Sequence, residues 1–195
     1  VLVTGVQTCA LPIWHSALYY AIQRRDSTVV QLLLDHDANP NQRPWTGQPC
    51  VHLAASQGDI ETVQTLIDKH ADINATPPMS ETALGSAIYR DDAEMVHLLL
   101  ENGADVNMKP LTGQSSLFLV ASKGKLVLLR LLLEKGANVD ESPPGYPSAL
   151  YMAIHREDLE TAKVLLEFGA NASTGNSLNV RSEEHTSELQ SPVLS

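Results

Sequence analysis

The sequence matches itself at one offset, 33 residues, and keeps that register without a gap across residues 14–180. Ala38, Ala71, Ala104, Ala137 and Ala170 share one position; Leu33, Leu66, Leu99, Leu132 and Leu165 share another. Five units follow, near 14–45, 46–78, 79–111, 112–144 and 145–177. A unit this short cannot bury its own apolar side, so it must be shielded by its neighbours, and about three units are the least that would hold. The repeat therefore predicts an elongated stack with a long surface, not a globule around one cleft.

Within a unit the apolar spacing is helical twice over. Leu18, Ala21 and Ile22 fall at i, i+3, i+4, and so do Val30, Leu33 and Leu34. Asp26, Asp59, Asp92 and Asp158 stand just before the second segment, where a carboxylate accepts unpaired backbone N–H groups. Glu61, Glu94 and Glu160 follow in the first turn, on the positive end of the helix dipole. Past the second segment come Gly103, Gly136 and Gly169, suited to a left-handed closing residue, with Asp37 and His70 in the first two units. Short polar links such as Ala75-Thr76-Pro77-Pro78 reverse the chain. A second period of 66 lies inside the first. Odd units share Ala21-Ile22-Gln23-Arg24-Arg25-Asp26 and its relatives at 87–92 and 153–158. Even units carry Ser56-Gln57-Gly58 and Ser122-Lys123-Gly124, and open with Thr-Gly-Gln at 46–48 and 112–114. This alternation implies growth by duplication of pairs of units.

The ends differ from the middle. Residues 1–13 are uncharged and 181–195 are polar and Ser-rich, and neither has periodicity. Arg181 to Ser191 resembles a codon-by-codon translation of short-read sequencing-adapter DNA, and Val3 to Ile13 resembles a translation of its opposite strand. Both ends are therefore expected to be adapter-derived, to make few contacts, and to leave 14–180 as a fragment of a longer protein. A dinucleotide fold is a poor fit to the front end, since no further glycines follow Gly5 at the needed spacing. A signal peptide fits no better without a basic start.

The unit openings Ser16-Ala17-Leu18-Tyr19, Pro49-Cys50-Val51-His52, Thr82-Ala83-Leu84-Gly85, Ser115-Ser116-Leu117-Phe118 and Ser148-Ala149-Leu150-Tyr151 resemble the T-P-L-H opening of ankyrin repeats. The proline is replaced in every unit and the histidine survives only at His52. The endings Asn102 to Asn107 (NGADVN), His70 to Asn74 (HADIN) and Lys135 to Asp140 (KGANVD) resemble the family's G-A-D-V-N. The resemblance implies an all-α fold, an ankyrin-type α-solenoid of stacked helix-turn-helix repeats joined by β-turn or hairpin loops. It also implies a protein–protein interaction scaffold that binds a protein or peptide on a concave face.

Chemistry is poorly served by these residues. In each acidic pair, Asp91/Asp92 and Glu157/Asp158, one member is the helix cap already assigned. His15, His36, His52, His70, His97 and His155 lack zinc-site spacing. Cys50 opens a helix, yet its position holds small residues elsewhere (Ala17, Ala83, Ser116, Ala149), which favours a packed thiol. No enzymatic activity, cofactor, metal or small-molecule substrate is expected. A net charge of -10 argues against nucleic acid, and no apolar run is long enough to span a membrane. A cytoplasmic location is expected. The alternative is a substrate-recruiting segment of an enzyme whose catalytic domain lies elsewhere.

The resemblance assigns binding to the first helices and the turn tips. Register then aligns Arg24, Gln57, Arg90, Lys123 and Arg156 in a nearly continuous basic row, which either meets an acidic partner or pairs with nearby carboxylates. Tyr20, Leu53, Ser86, Leu119 and Met152, one turn earlier, are expected to supply contact area. At the tips Trp45 and Leu111 share a position, with Met79 and Tyr146 close by, and are candidate anchors unless packed within their own turns. With terminal units lacking polar caps, the isolated array is expected to self-associate or fray.

Overall fold

A computed structural model describes residues 16–44, 47–78, 80–108, 114–142 and 147–173. Ten α-helices and no strand occur among them. Each unit contributes two: α1 (Ala17–Gln23) and α2 (Ser27–Asp35); α3 (Cys50–Gln57) and α4 (Ile60–Asp68); α5 (Ala83–Tyr89) and α6 (Ala93–Glu101); α7 (Ser116–Lys123) and α8 (Leu126–Glu134); α9 (Ala149–His155) and α10 (Leu159–Glu167).

The helices begin where capping residues stand. Ser16, Thr82, Ser115 and Ser148 accept from the N–H groups of Tyr19, Gly85, Phe118 and Tyr151, whereas Pro49 offers no side-chain cap to α3. Asp26, Asp59, Asp92 and Asp158 cap the second helices through Val29, Thr62, Met95 and Thr161, as their positions predict. Lys125 stands at this position in unit four and gives α8 no side-chain cap; its ammonium reaches Asp91 in unit three instead. The second helices close on left-handed residues: Asp37, His70, Gly103, Gly136 and Gly169, with φ of 60°, 62°, 87°, 85° and 87°.

Packing follows the repeat. The two helices of a unit lie against each other, and first helices stack on first helices: α1 on α3, α3 on α5, α5 on α7, α7 on α9. Among second helices α2 meets α4, α4 meets α6, and α8 meets α10. Every substantial helix contact lies within one unit or between consecutive units, the nearest-neighbour pattern of a solenoid. The repeated leucine is the centre of this arrangement: Leu66, Leu99, Leu132 and Leu165 are all 0% exposed.

On one edge, the asparagine that ends each unit stitches it to the next. Asn41 donates to the His70 carbonyl at 3.1 Å and accepts from the Asp72 N–H at 2.7 Å. Asn74 does the same with Gly103 and Asp105, and Asn107 with Gly136 and Asn138. In unit four the residue is Asp140, which accepts from the Asn171 N–H at 2.8 Å but as a carboxylate has nothing to donate.

Candidate functional site

The basic row lies at the C-terminal ends of the first helices, where the last carbonyl groups have no partner inside the helix. Each row residue after the first donates to such a carbonyl in the preceding unit. Gln57 Nε2 reaches Gln23 at 3.3 Å, and Arg90 Nη1 reaches Ser56 at 3.3 Å. Lys123 Nζ meets Tyr89 at 2.8 Å and Ile88 at 3.1 Å, and Arg156 Nη1 reaches Ser122 at 2.7 Å. Arg25 reinforces the first junction by donating to the Gln57 carbonyl. The row is thus an inter-unit ladder whose cations sit on the negative ends of helix dipoles. These hydrogen bonds run to backbone carbonyls, where sequence reasoning considered only carboxylates.

Arg24 opens the row and lies over the Tyr20 ring, 5.8 Å from its centroid. Lys123 is placed likewise, 5.2 Å from the centre of the Tyr89 ring. Arg24, Arg90 and Arg156 remain exposed, and Lys123 is half-buried. A guanidinium carries five N–H donors, so one bond to a carbonyl leaves most of its donor set open to a ligand.

The contact residues one turn earlier divide by unit. Tyr20 is 50% exposed, and Ser86 and Met152 are half-buried. Leu119, expected to offer contact area, is 4% exposed, and Leu53 is 8% exposed. Both are corrected to core residues: in the even units this side chain is closed in between the first helices on either side. Trp45 and Leu111, with Met79 and Tyr146, lie outside the described residues, as do both terminal segments.

A polar chain unforeseen from the sequence crosses the first three units beside the row. The Tyr19 hydroxyl donates to Gln48 Oε1 at 2.7 Å, Gln48 Nε2 lies 3.1 Å from His52 Nδ1, and His52 Nε2 lies 3.1 Å from Ser86 Oγ. With Gln48 donating, Nδ1 is the acceptor and Nε2 carries the proton toward Ser86. Burial holds the imidazole pKa below its usual value. Tyr89 likewise donates to Gln114 at 2.7 Å. The signal was present: Gln48 and Gln114 are the glutamines of the two Thr-Gly-Gln openings, and each accepts from a tyrosine of the preceding odd unit.

Cys50 is 1% exposed, and burial pushes its thiol up to about 11, opposite to what an activated nucleophile needs. Among the described residues no group of three His, Cys, Asp or Glu side chains could hold a metal ion, and no helix is long and apolar enough to cross a membrane.

A family model described as ankyrin repeats (3 copies) matches residues 18–110 and again 84–176. Among solved structures, the chain is similar to the ankyrin repeat domain of Bcl-3, described as a unique member of the IkappaB protein family. The two share 31% identity over 86% of this chain and 75% of that one, with a TM-score of 0.76. No curated protein gives a significant sequence match.

Proposed function

Because the chain belongs to the ankyrin repeat family, whose arrays are protein–protein interaction modules, we propose that it binds an acidic, extended protein segment along the ends of its first helices. The interaction module on this reading is 14–180, a fragment of a longer protein, and the two terminal segments take no part. The concave face would be the one carrying Arg24, Arg90, Lys123 and Arg156, with Tyr20 and Met152 beside them. Trp45 and Leu111 would extend it at the turn tips.

One observation carries the reading. Three exposed guanidiniums recur along an acidic chain, and two of them are already held by a carbonyl of the preceding unit. Holding a long side chain in place before the partner arrives lowers the ordering cost of binding. The opposite charge of the partner would speed encounter and fix its register.

The test is selection from a displayed library of short peptides, followed by affinity measurement on two double variants. Arg90→Gln with Arg156→Gln keeps a donor for each carbonyl and removes the charge. Arg90→Glu with Arg156→Glu reverses it. Acidic peptides should dominate the selection, with affinity falling about tenfold or more in the first variant and further in the second. Selection of uncharged peptides, or equal affinity in all three proteins, would refute the proposal.

A further inference from the structure

The links between units alternate in chemistry. Arg43, Thr76, Lys109 and Ser142 share one register position, and a proline follows each. After the two hydroxyl residues comes a second proline, in Thr76-Pro77-Pro78 and Ser142-Pro143-Pro144. A hydroxyl directly before proline is the local pattern that proline-directed protein kinases select, and the proline keeps that residue extended, the shape a kinase cleft accepts. In the sequence each such pattern stands one unit after a cation.

The structure joins the first of these pairs. Arg43 is exposed, and its Nη1 donates to the Thr76 carbonyl at 3.2 Å. Among the described residues Arg43 forms no ion pair, and one bond leaves most of the five guanidinium donors open. The Thr76 hydroxyl has no structural task either. It enters no hydrogen bond among the described residues, whereas Thr82 caps α5, and Thr62 and Thr161 donate to the Asp59 and Asp158 carboxylates. An open depression of about 280 Å³, lined by Arg43 and Ala75, adjoins the pair. Asp72 lines it too, but its Oδ1 already accepts from the Asn74 N–H at 3.0 Å.

We propose that Thr76 is a phosphorylation site for a proline-directed protein kinase, and that Arg43 receives the phosphate. The γ-phosphoryl group of ATP passes to Thr76 Oγ1. The new oxygen–phosphorus bond forms as the bond from the γ-phosphorus to its bridging oxygen breaks; ADP leaves, and the hydroxyl proton goes to the base of the kinase. The product carries a charge of about −1.5 to −2 and three strong acceptor oxygens. Those oxygens match the forked donors of a guanidinium. Because Arg43 ends unit one and Thr76 ends unit two, the phosphate becomes a charged clasp between consecutive links.

Access requires the link to lift. Thr76 is half-buried and Pro77 buried, and Pro78 lies so close to Gly47 that a Cβ there would stand 2.7 Å from its ring. Residues 75–78 belong to no helix, which puts this opening at the low-stability end of the molecule.

The experiment treats the full chain with ATP and two proline-directed protein kinases of different families, and maps the product by mass spectrometry. Phosphate should appear on Thr76, persist in Thr76→Ser at that position, and be lost there in Thr76→Ala and Pro77→Ala. The phosphorus resonance of the modified chain is then titrated. Arg43 should hold the midpoint about 0.5 pH unit or more below the ordinary value of about 6. In Arg43→Gln it should return to the ordinary value. The site is overturned if Thr76 in the folded chain takes no phosphate from either kinase, or takes it equally well in Pro77→Ala. The clasp is overturned if the midpoint is the same with and without Arg43.

Discussion

Arg156 lies across Gly124, with Nη1 donating to the Ser122 carbonyl at 2.7 Å and Nη2 within 2.8 Å of where a Cβ on Gly124 would stand. Odd units adopt nearly the same backbone with side chains, at Arg25, Asp91 and Glu157 (φ 58°, 59° and 57°). The left-handed turn alone therefore does not demand glycine; the overlying arginine does. Gly124→Ala should destabilise the array by about 1–2 kcal/mol, and part of that cost should vanish in an Arg156→Ala background. Urea denaturation of the four proteins measures the coupling; strictly additive costs would absolve the arginine.

Asp140 occupies the stitching position of Asn41, Asn74 and Asn107 but can only accept. Asp140→Asn should restore donation to the Gly169 carbonyl and raise stability by about 0.5–1.5 kcal/mol, the usual net worth of one hydrogen bond. Loss of stability on that substitution would show that unit five is not seated on unit four as the other junctions are. The reciprocal change, Asn107→Asp, should cost a similar amount.

These two cases mark the limit of what the sequence discloses. The helix pairs, their carboxylate caps at Asp26, Asp59, Asp92 and Asp158, and the closing turns at Gly103, Gly136 and Gly169 are local, so the order of residue types announces them. The partners of Arg90 and Arg156 are backbone carbonyls 34 residues away, and a carbonyl leaves no trace in residue identity. Register places Leu119 with Tyr20 on the face that the family resemblance assigns to binding, and register says nothing of burial. Tyr20, however, belongs to the first unit, while Leu119 is enclosed by helices on either side.

His52 should give the array a pH-dependent stability. Its imidazole takes up a proton near 6.5 when unfolded and only at lower pH when folded, because burial disfavours the charged form. As pH falls through 6.5 the unfolded chain binds more protons, so stability drops; above that range His52 contributes no slope. Melting temperatures at pH 7.5 and 5.5 should differ in the native sequence, with a smaller difference in His52→Gln. Asp35, Glu101 and Asp158, whose pKa values are lowered by hydrogen bonds from Lys69, Lys135 and Thr161 respectively, act only at more acidic pH.

Leu132 is 0% exposed, between units three and five. Leu132→Ala should cost about 2–5 kcal/mol, through lost transfer energy and the cavity left behind. Because each unit touches only its neighbours, hydrogen exchange should accelerate first in α7 to α10 and leave α1 and α2 little changed. Uniform acceleration along all ten helices would indicate that the array unfolds as a single block.

The rungs between row residues and earlier carbonyls join residues far apart in sequence but adjacent in space. A protease that severed the backbone once between Met108 and Gln114 would leave Lys123 still on the Ile88 and Tyr89 carbonyls, Lys135 on Glu101 and Asn107 on Gly136. The nicked halves would travel as one particle, and two separately made pieces should find each other and mend the break without a covalent seam.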